Sequence, residues 1–356
     1  MLDARGVALG GRLGPLDLAS GGGEMIALVG PNGGGKTSLL RALARVEEAR
    51  GIVLIDGADI DQLGEARRSR LISFLPASRE VAWPIAVRDI VALGGADHDQ
   101  LNHWLAAFGL LPFADRMIGN LSTGERARAL LARAMATGPR LLLLDEPLSN
   151  LDPTLRERTR RELAATLKRI GITTLLVTHE QEEAFDLGDR VALLNAGRLE
   201  QLGTPHELYR APATRFVAGF IGRDSFLPVV VQEIGPAKED GLFPTAVSGP
   251  ALAPGAKLSL AQRGFGKGEK ADLWLRPEML ELATAEESSP SFTGSLVAIR
   301  FSGAMSYLTV RLKSGQEIEA MCADEVPPLD STVALCLRAG ARPMLFPSHG
   351  AAESSA

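Results

Sequence analysis

Gly30, Gly35, Lys36 and Thr37 stand in the spacing G-x-x-x-x-G-K-T within the run LVGPNGGGKTSLL. Residues of these types at this spacing make an anion seat. Glycines carry no Cβ, so successive backbone N–H groups can converge on phosphate oxygens at the positive end of a helix. Lys36 supplies a point charge for the β and γ phosphates of a nucleotide, and the Thr37 hydroxyl is an oxygen ligand for Mg²⁺. The seat as a whole is expected to comprise Gly30, Pro31, Asn32, Gly33, Gly34, Gly35, Lys36, Thr37 and Ser38. The competing reading is a chance glycine loop or linker. It fails on context, because Glu24 to Val29 reads as a buried strand before the loop and Ser38 to Val46 as a helix after it.

A phosphoryl-transfer site also needs an acidic half. Asp145 ends the apolar run Leu141 to Leu144, and a carboxylate at the carboxyl edge of a parallel sheet falls beside the loop after the first strand. Asp145 is expected to hold Mg²⁺ with Thr37, through water. Glu146 follows at once and is placed to orient and deprotonate an attacking water. His179 ends another apolar run, TTLLVTH, and is expected to reach the γ-phosphate. Lys36, Glu146 and His179 are therefore the candidate catalytic groups. Taken singly, Asp-Glu-Pro is only a strand end and a lone histidine is usually structural; a common sheet edge makes them a site.

The elements that must position these groups follow from periodicity. GIVLIDG (51 to 57) reads as a strand with an Asp-Gly turn, residues 98 to 137 as mostly helical, and residues 154 to 170 as a charged amphipathic helix. Buried strands alternating with helices imply a parallel sheet covered on both faces. Thr204, Pro205 and Glu207 predict a capped helix start. After Gly222 short β-type runs appear (FLPVVV, KLSLA, SLVAIRF, YLTVRL, VALCLRA), which predict a small all-β barrel.

At 356 residues and 46% hydrophobic content, the chain suits two folded domains. No stretch reaches the roughly 18 apolar residues of a membrane span. The opening Met-Leu-Asp-Ala-Arg lacks the order of a signal peptide, so the chain is expected to stay in the cytoplasm, with docking on a membrane left open. Cys322 and Cys336 lack the spacing of a disulfide framework or zinc site. A formal charge of −5 argues against a nucleic-acid binder with a broad basic face, though not against a nucleotide.

Taken together, four segments resemble the ATP-binding subunit of ABC transporters. The phosphate loop is joined by LSTGE (121 to 125) with its helix, which resembles the signature motif, by LLLLDEPLSNLD (141 to 152), which resembles Walker B and the D-loop, and by VTHEQEEA (177 to 184), which resembles the switch-histidine segment. The stretches LWLRPEMLEL, TGSLVAIRFSGAMSYLTVRLKSGQEIEA and VALCLRAGARPMLF resemble the TOBE domain of bacterial importer ATPases. The implied fold is an α/β P-loop NTPase (RecA-like) ABC cassette over residues 1–222, with a helical subdomain at about 79–135. A C-terminal all-β, OB-like TOBE domain follows over 223–348, with a disordered tail at 349–356.

The resemblance implies ATP and Mg²⁺ as cofactors and a homodimer that sandwiches two ATP molecules. Ser122, Thr123, Gly124 and Glu125 of one copy would then face the phosphate seat of the other, with Asp152 linking the two sites. It further implies integral membrane permease subunits as partners, a periplasmic or extracellular solute-binding protein acting indirectly, no nucleic acid, and a peripheral place on the cytoplasmic face of the inner membrane. The alternatives are a soluble ABC ATPase of translation or DNA repair, disfavoured by the single cassette, and a catalytically weakened nucleotide-binding module. The N-terminal half resembles cassettes of metal-chelate importers and the C-terminal half those of iron(III), sulfate, polyamine or sugar importers, so the cargo stays open.

Three departures from the family pattern stand out. Ala77 occupies the position of a glutamine that senses Mg²⁺, leaving Ser78 or Glu80 to substitute or the coupling altered. Thr123 replaces a glycine of the signature, where a β-branched residue narrows the allowed backbone. Residues 1 to 24 contain no aromatic side chain to stack on adenine; Arg12 is the expected substitute, with weaker base selectivity.

Overall fold

The strand Leu141–Asp145 is five residues long and buried throughout. Side chains alternate across a strand, so Leu141 and Leu143 enter one core while Leu142 and Leu144 enter another. Such a strand belongs in the middle of a sheet covered on both sides. In the computed structural model, which describes residues 1–78, 84–149, 153–238, 241–252, 256–261, 264–283, 291–323 and 325–348, it does. The six-stranded sheet runs Arg198–Gly203, Arg190–Asn195, Met25–Val29, Thr173–Val177, Leu141–Asp145, Ile72–Leu75. Neighbours are parallel except the first pair, which forms an antiparallel hairpin at the edge.

One face of this sheet packs Leu39, Leu40 and Leu43 of the helix Lys36–Leu43. The same core takes Leu2, Val7, Leu18 and Val53 from a second sheet of four antiparallel strands. The expected strand at GIVLIDG is there, as Arg50–Ile55, but in this antiparallel sheet. Asp56 and Gly57 turn it with φ of 50° and 81°, as the Asp-Gly pair predicts. The other face packs the helix Pro153–Ile170 through Leu163 and Leu167, together with the helical region. That region contains Val87–Ala92, His98–Ala107 and Thr123–Met135, the last two joined through the 3-10 turns Leu111–Phe113 and Ile118–Asn120. Leu130, Leu131, Ala134 and Met135 recur at helical spacing and are buried.

The chain divides into two compact units, Met1–Ala211 and Pro212–Ala356. The division precedes the expected one between 222 and 223, because the helix Arg215–Phe220 belongs to the second unit. Its Ala218 packs with Trp274 and Phe346, and Arg215 Nε donates to Asp272 Oδ2 at 2.9 Å. The second unit consists of two five-stranded antiparallel sheets around one core, with Leu227 and Leu273 from the first and Phe292, Leu296 and Leu335 from the second. Each of the five β-type runs singled out in the sequence falls on one of these strands, KLSLA and VALCLRA overrunning theirs by Ala261 and by Arg338 and Ala339. Arg276, of the Arg-Pro-Glu run, is buried within this unit, with Nη2 donating to the Ile221 carbonyl at 2.6 Å and Nε 3.3 Å from Asp224 Oδ1. Cys322 and Cys336 are buried and unbridged. Among the described residues no helix is long and apolar enough to cross a membrane. The expected tail at 349–356 lies outside the described residues.

Candidate functional site

The phosphate loop leaves the strand Met25–Val29 at Gly30, whose φ is 146°, and enters the helix Lys36–Leu43 through Gly35 at φ 101°. Both conformations are natural only to glycine. Space demands glycine as well. A Cβ on Gly30 would lie 2.0 Å from the Leu194 carbonyl oxygen, and one on Gly34 would lie 2.9 Å from the same atom.

A wall of the seat went unread in the sequence. The hairpin turn at Ala196 and Gly197 closes over the loop, with Gly197 N–H donating to the Gly34 carbonyl at 3.0 Å and Gly14 N–H to the Gly197 carbonyl at 2.8 Å. The Asn-Ala-Gly turn signal between two apolar strands was the available clue.

The cleft over this loop holds about 640 Å³, and its lining includes Asn32 to Ser38 together with Arg12, Glu146, His179 and Ala196. Lys36 is buried, and its Nζ turns back to donate to the carbonyls of Gly30 at 2.9 Å and Pro31 at 3.0 Å. Burial pushes its ammonium pKa down, against the opposing pull of Glu146 and Asp145. Asp145 is buried at the strand end and accepts a hydrogen bond from the Thr37 hydroxyl at 3.0 Å. Burial pushes this carboxyl up, offset in part by the Thr37 bond. A hydroxyl and a carboxylate so close at the edge of a phosphate seat fit Mg²⁺, a hard cation that takes one or two protein oxygens and completes its shell with phosphates and water.

Glu146 carries a left-handed φ of 50° on a non-glycine residue, a conformation it shares in this cleft with Ala196 at 45°. The turn is held by Glu146 N–H donating to the Val177 carbonyl at 3.0 Å and by Ser149, whose hydroxyl donates to the Glu146 carbonyl at 3.1 Å. It aims the Glu146 carboxylate at the neighbouring strand end, where Oε1 is in hydrogen-bonding contact with Nε2 of His179. The structure thus brings Lys36, Thr37, Asp145, Glu146 and His179 to one edge.

Other expected residues lie elsewhere. Ser122 caps the helix Thr123–Met135 in a capping box: Glu125 N–H donates to its hydroxyl at 3.3 Å, and Ser122 N–H donates to Glu125 Oε2 at 2.8 Å. That backbone hydrogen bond lowers the pKa of the Glu125 carboxyl. Thr123 opens the helix and is not among the residues with left-handed backbone, so its position tolerates a β-branched side chain. None of Ser122, Thr123, Gly124 and Glu125 lines the phosphate cleft of its own chain. Asp152 and Glu80 lie outside the described residues. Ala77 sits just beyond the strand Ile72–Leu75, half-buried. Arg12 reaches the cleft and is paired with Glu47, a carboxylate that also binds Arg41 at 3.0 Å.

This fold and edge define a P-loop NTPase. The ABC transporter family profile matches residues 13–149, and the TOBE domain profile matches residues 273–342. The sulfate/thiosulfate import ATP-binding protein CysA 2 of Chromobacterium violaceum is 38% identical over 301 residues, covering 81% of this chain and 77% of that protein. The putrescine transport ATP-binding protein PotG of Escherichia coli is 36% identical over 310 residues, covering 84% and 80%. Among solved structures, cbiO1 of Clostridium perfringens, part of the ABC transporter complex cbiONQ, shares the fold with a TM-score of 0.54 and 23% identity, covering 58% of this chain and 89% of that one. The chain belongs to the ATP-binding subunits of ABC importers, ATPases that use ATP with Mg²⁺ and work as dimers with membrane permease subunits.

Proposed function

We propose that the cleft over the phosphate loop binds the triphosphate of ATP, with Lys36 on the β and γ phosphates and Thr37 and Asp145 holding Mg²⁺. Glu146 takes the proton of the attacking water, and His179 orients Glu146 and meets the γ-phosphate. The observation that carries this reading is the left-handed turn at Glu146, which sets its carboxylate against His179 at the rim of the seat. Mg²⁺, when bound, offsets the charge that develops on the phosphates. The chain's own donors do the rest: backbone N–H groups hold the phosphates, and Lys36 exchanges two carbonyl partners for phosphate oxygens.

The second half of the site is assigned to a second copy. Ser122, Thr123, Gly124 and Glu125 would close on the γ-phosphate from across the dimer, and Asp152 would link the two centres. Closure would drive permease subunits from the cytoplasmic face of the inner membrane. The cargo is a small solute of the sulfate or polyamine kind, the solutes in the names of the two relatives above. Neither name contains a metal, so the iron(III) expectation gains no support from them.

The test is Glu146→Gln. Loss of the base lowers ATP turnover by about 100-fold or more while ATP still binds. With ATP, the variant elutes from a sizing column as a dimer that the parent forms only transiently. Parental turnover in the variant would remove Glu146 from the mechanism.

A further inference from the structure

His179 lies on a short turn between the strand Thr173–Val177 and the helix Gln181–Leu187. The residues on either side of it are tied down. The Thr178 hydroxyl accepts from Glu180 N–H at 3.1 Å, which closes a local turn around His179, and it donates to Oε2 of Glu183 in a short contact. Glu180 is paired in turn with Arg156 of the helix Pro153–Ile170.

Glu183 is 5% exposed, a burial that a carboxyl group tolerates only for a reason. Its Oε1 has no hydrogen-bond partner among the described residues. A small cavity of about 180 Å³ adjoins this group, and Glu146, His179, Thr178 and Arg156 are also in its walls. A buried acid that binds the residue before the histidine, and shares a cavity with both members of the reacting pair, lies where it can control that histidine.

We propose that Glu183 is a positioning residue for ATP cleavage: by holding the Thr178 hydroxyl it fixes the turn that carries His179, and so keeps the imidazole on Glu146. The inference rests on the reading of Glu146 and His179 as the reacting pair. Glu183 touches neither phosphate nor water in this role. It acts by removing the alternative orientations of one turn, and a misplacement of about 1 Å at a reacting group is worth up to about 100-fold in rate.

The test measures ATP turnover and thermal unfolding in the full chain. Thr178→Val, close in shape but without the hydroxyl, lowers kcat by about ten- to 100-fold with KM for ATP near the parental value. Thr178→Ser restores the rate. Glu183→Ala lowers kcat to a similar extent, and Glu183→Gln, whose amide oxygen still accepts from Thr178, retains most of it. The double variant Thr178→Val with Glu183→Ala is no slower than the slower single variant, because both changes break one linkage. The role is overturned if Thr178→Val keeps parental kcat, if the two losses multiply, or if kcat merely follows the fraction unfolded. Glu146→Gln and His179→Ala run alongside separate the two failures. Parental rates in those variants would defeat the reading of the reacting pair, whereas their loss beside an unaffected Thr178→Val would defeat the positioning role alone.

Discussion

Lys36 donates its ammonium to the carbonyls of Gly30 and Pro31, so the charge proposed for phosphate is held inside the loop. Incoming phosphate oxygens must offer better partners than two neutral carbonyls, which they do because charge-assisted bonds are roughly twice as strong. Lys36→Ala is expected to weaken ATP binding by about 1.5–3 kcal/mol, measured by titration with a fluorescent nucleotide. Lys36→Arg should not restore it, since a planar guanidinium fork replaces a point charge. Arg12, paired with Glu47 at the cleft, offers a flat guanidinium in place of an aromatic ring. Stacking of that kind ignores the base edges, so GTP should compete with ATP within about tenfold in a displacement assay. The phosphate seat was legible because its chemistry lies in eight consecutive residues, Gly30 to Thr37. Glu183 was not. Glu180, Glu182 and Glu183 look alike in HEQEEA, and burial alone separates the third from its neighbours.

At the scale of elements, the seat depends on how closely two backbones approach. The Leu194 carbonyl lies where a Gly30 side chain would begin, and a β-strand carbonyl cannot swing aside. Gly30→Ala should therefore abolish nucleotide binding and destabilise the first unit by about 1–3 kcal/mol or more, seen as an earlier thermal transition that ATP fails to raise. The capping box at Ser122 makes a milder case: Ser122→Ala should cost about 1 kcal/mol of stability through the lost cap, whatever it does to turnover. Strands such as Leu141–Asp145 were readable from uninterrupted apolar runs that end at acids. Sheet membership was not. Arg50–Ile55 has a strand's composition, but nothing local says that it pairs with Leu2–Leu9 rather than joining the parallel sheet.

For the whole molecule, the second unit carries its own titration. Asp224 is buried beside Arg276 and accepts a hydrogen bond from Trp274 Nε1 at 2.8 Å, yet burial raises its pKa to about 6, with Arg276 and the tryptophan bond opposing. The folded chain then binds a proton more tightly than the unfolded chain, whose carboxyl titrates near 3.8. Stability from this group is full below the unfolded value and is lost as pH rises through about 6. Asp224→Asn removes that loss. The melting temperature of the variant minus that of the parent should rise between pH 4 and pH 7, and a flat difference would place the carboxyl in an ordinary environment. The sequence places the boundary after Gly222, whereas the compact unit takes in Thr214 to Phe220: that stretch has a helix's pattern, and the partners that claim the helix, Trp274 and Phe346, lie far along the chain.

The bolting of the loop to the hairpin turn has a kinetic corollary. Because Gly34 and Gly197 are already locked amide to carbonyl, a ligand meets a rigid receptor and has little ordering left to impose. Hydrogen–deuterium exchange at the Gly197 amide should be slow before any nucleotide arrives and hardly slower afterwards.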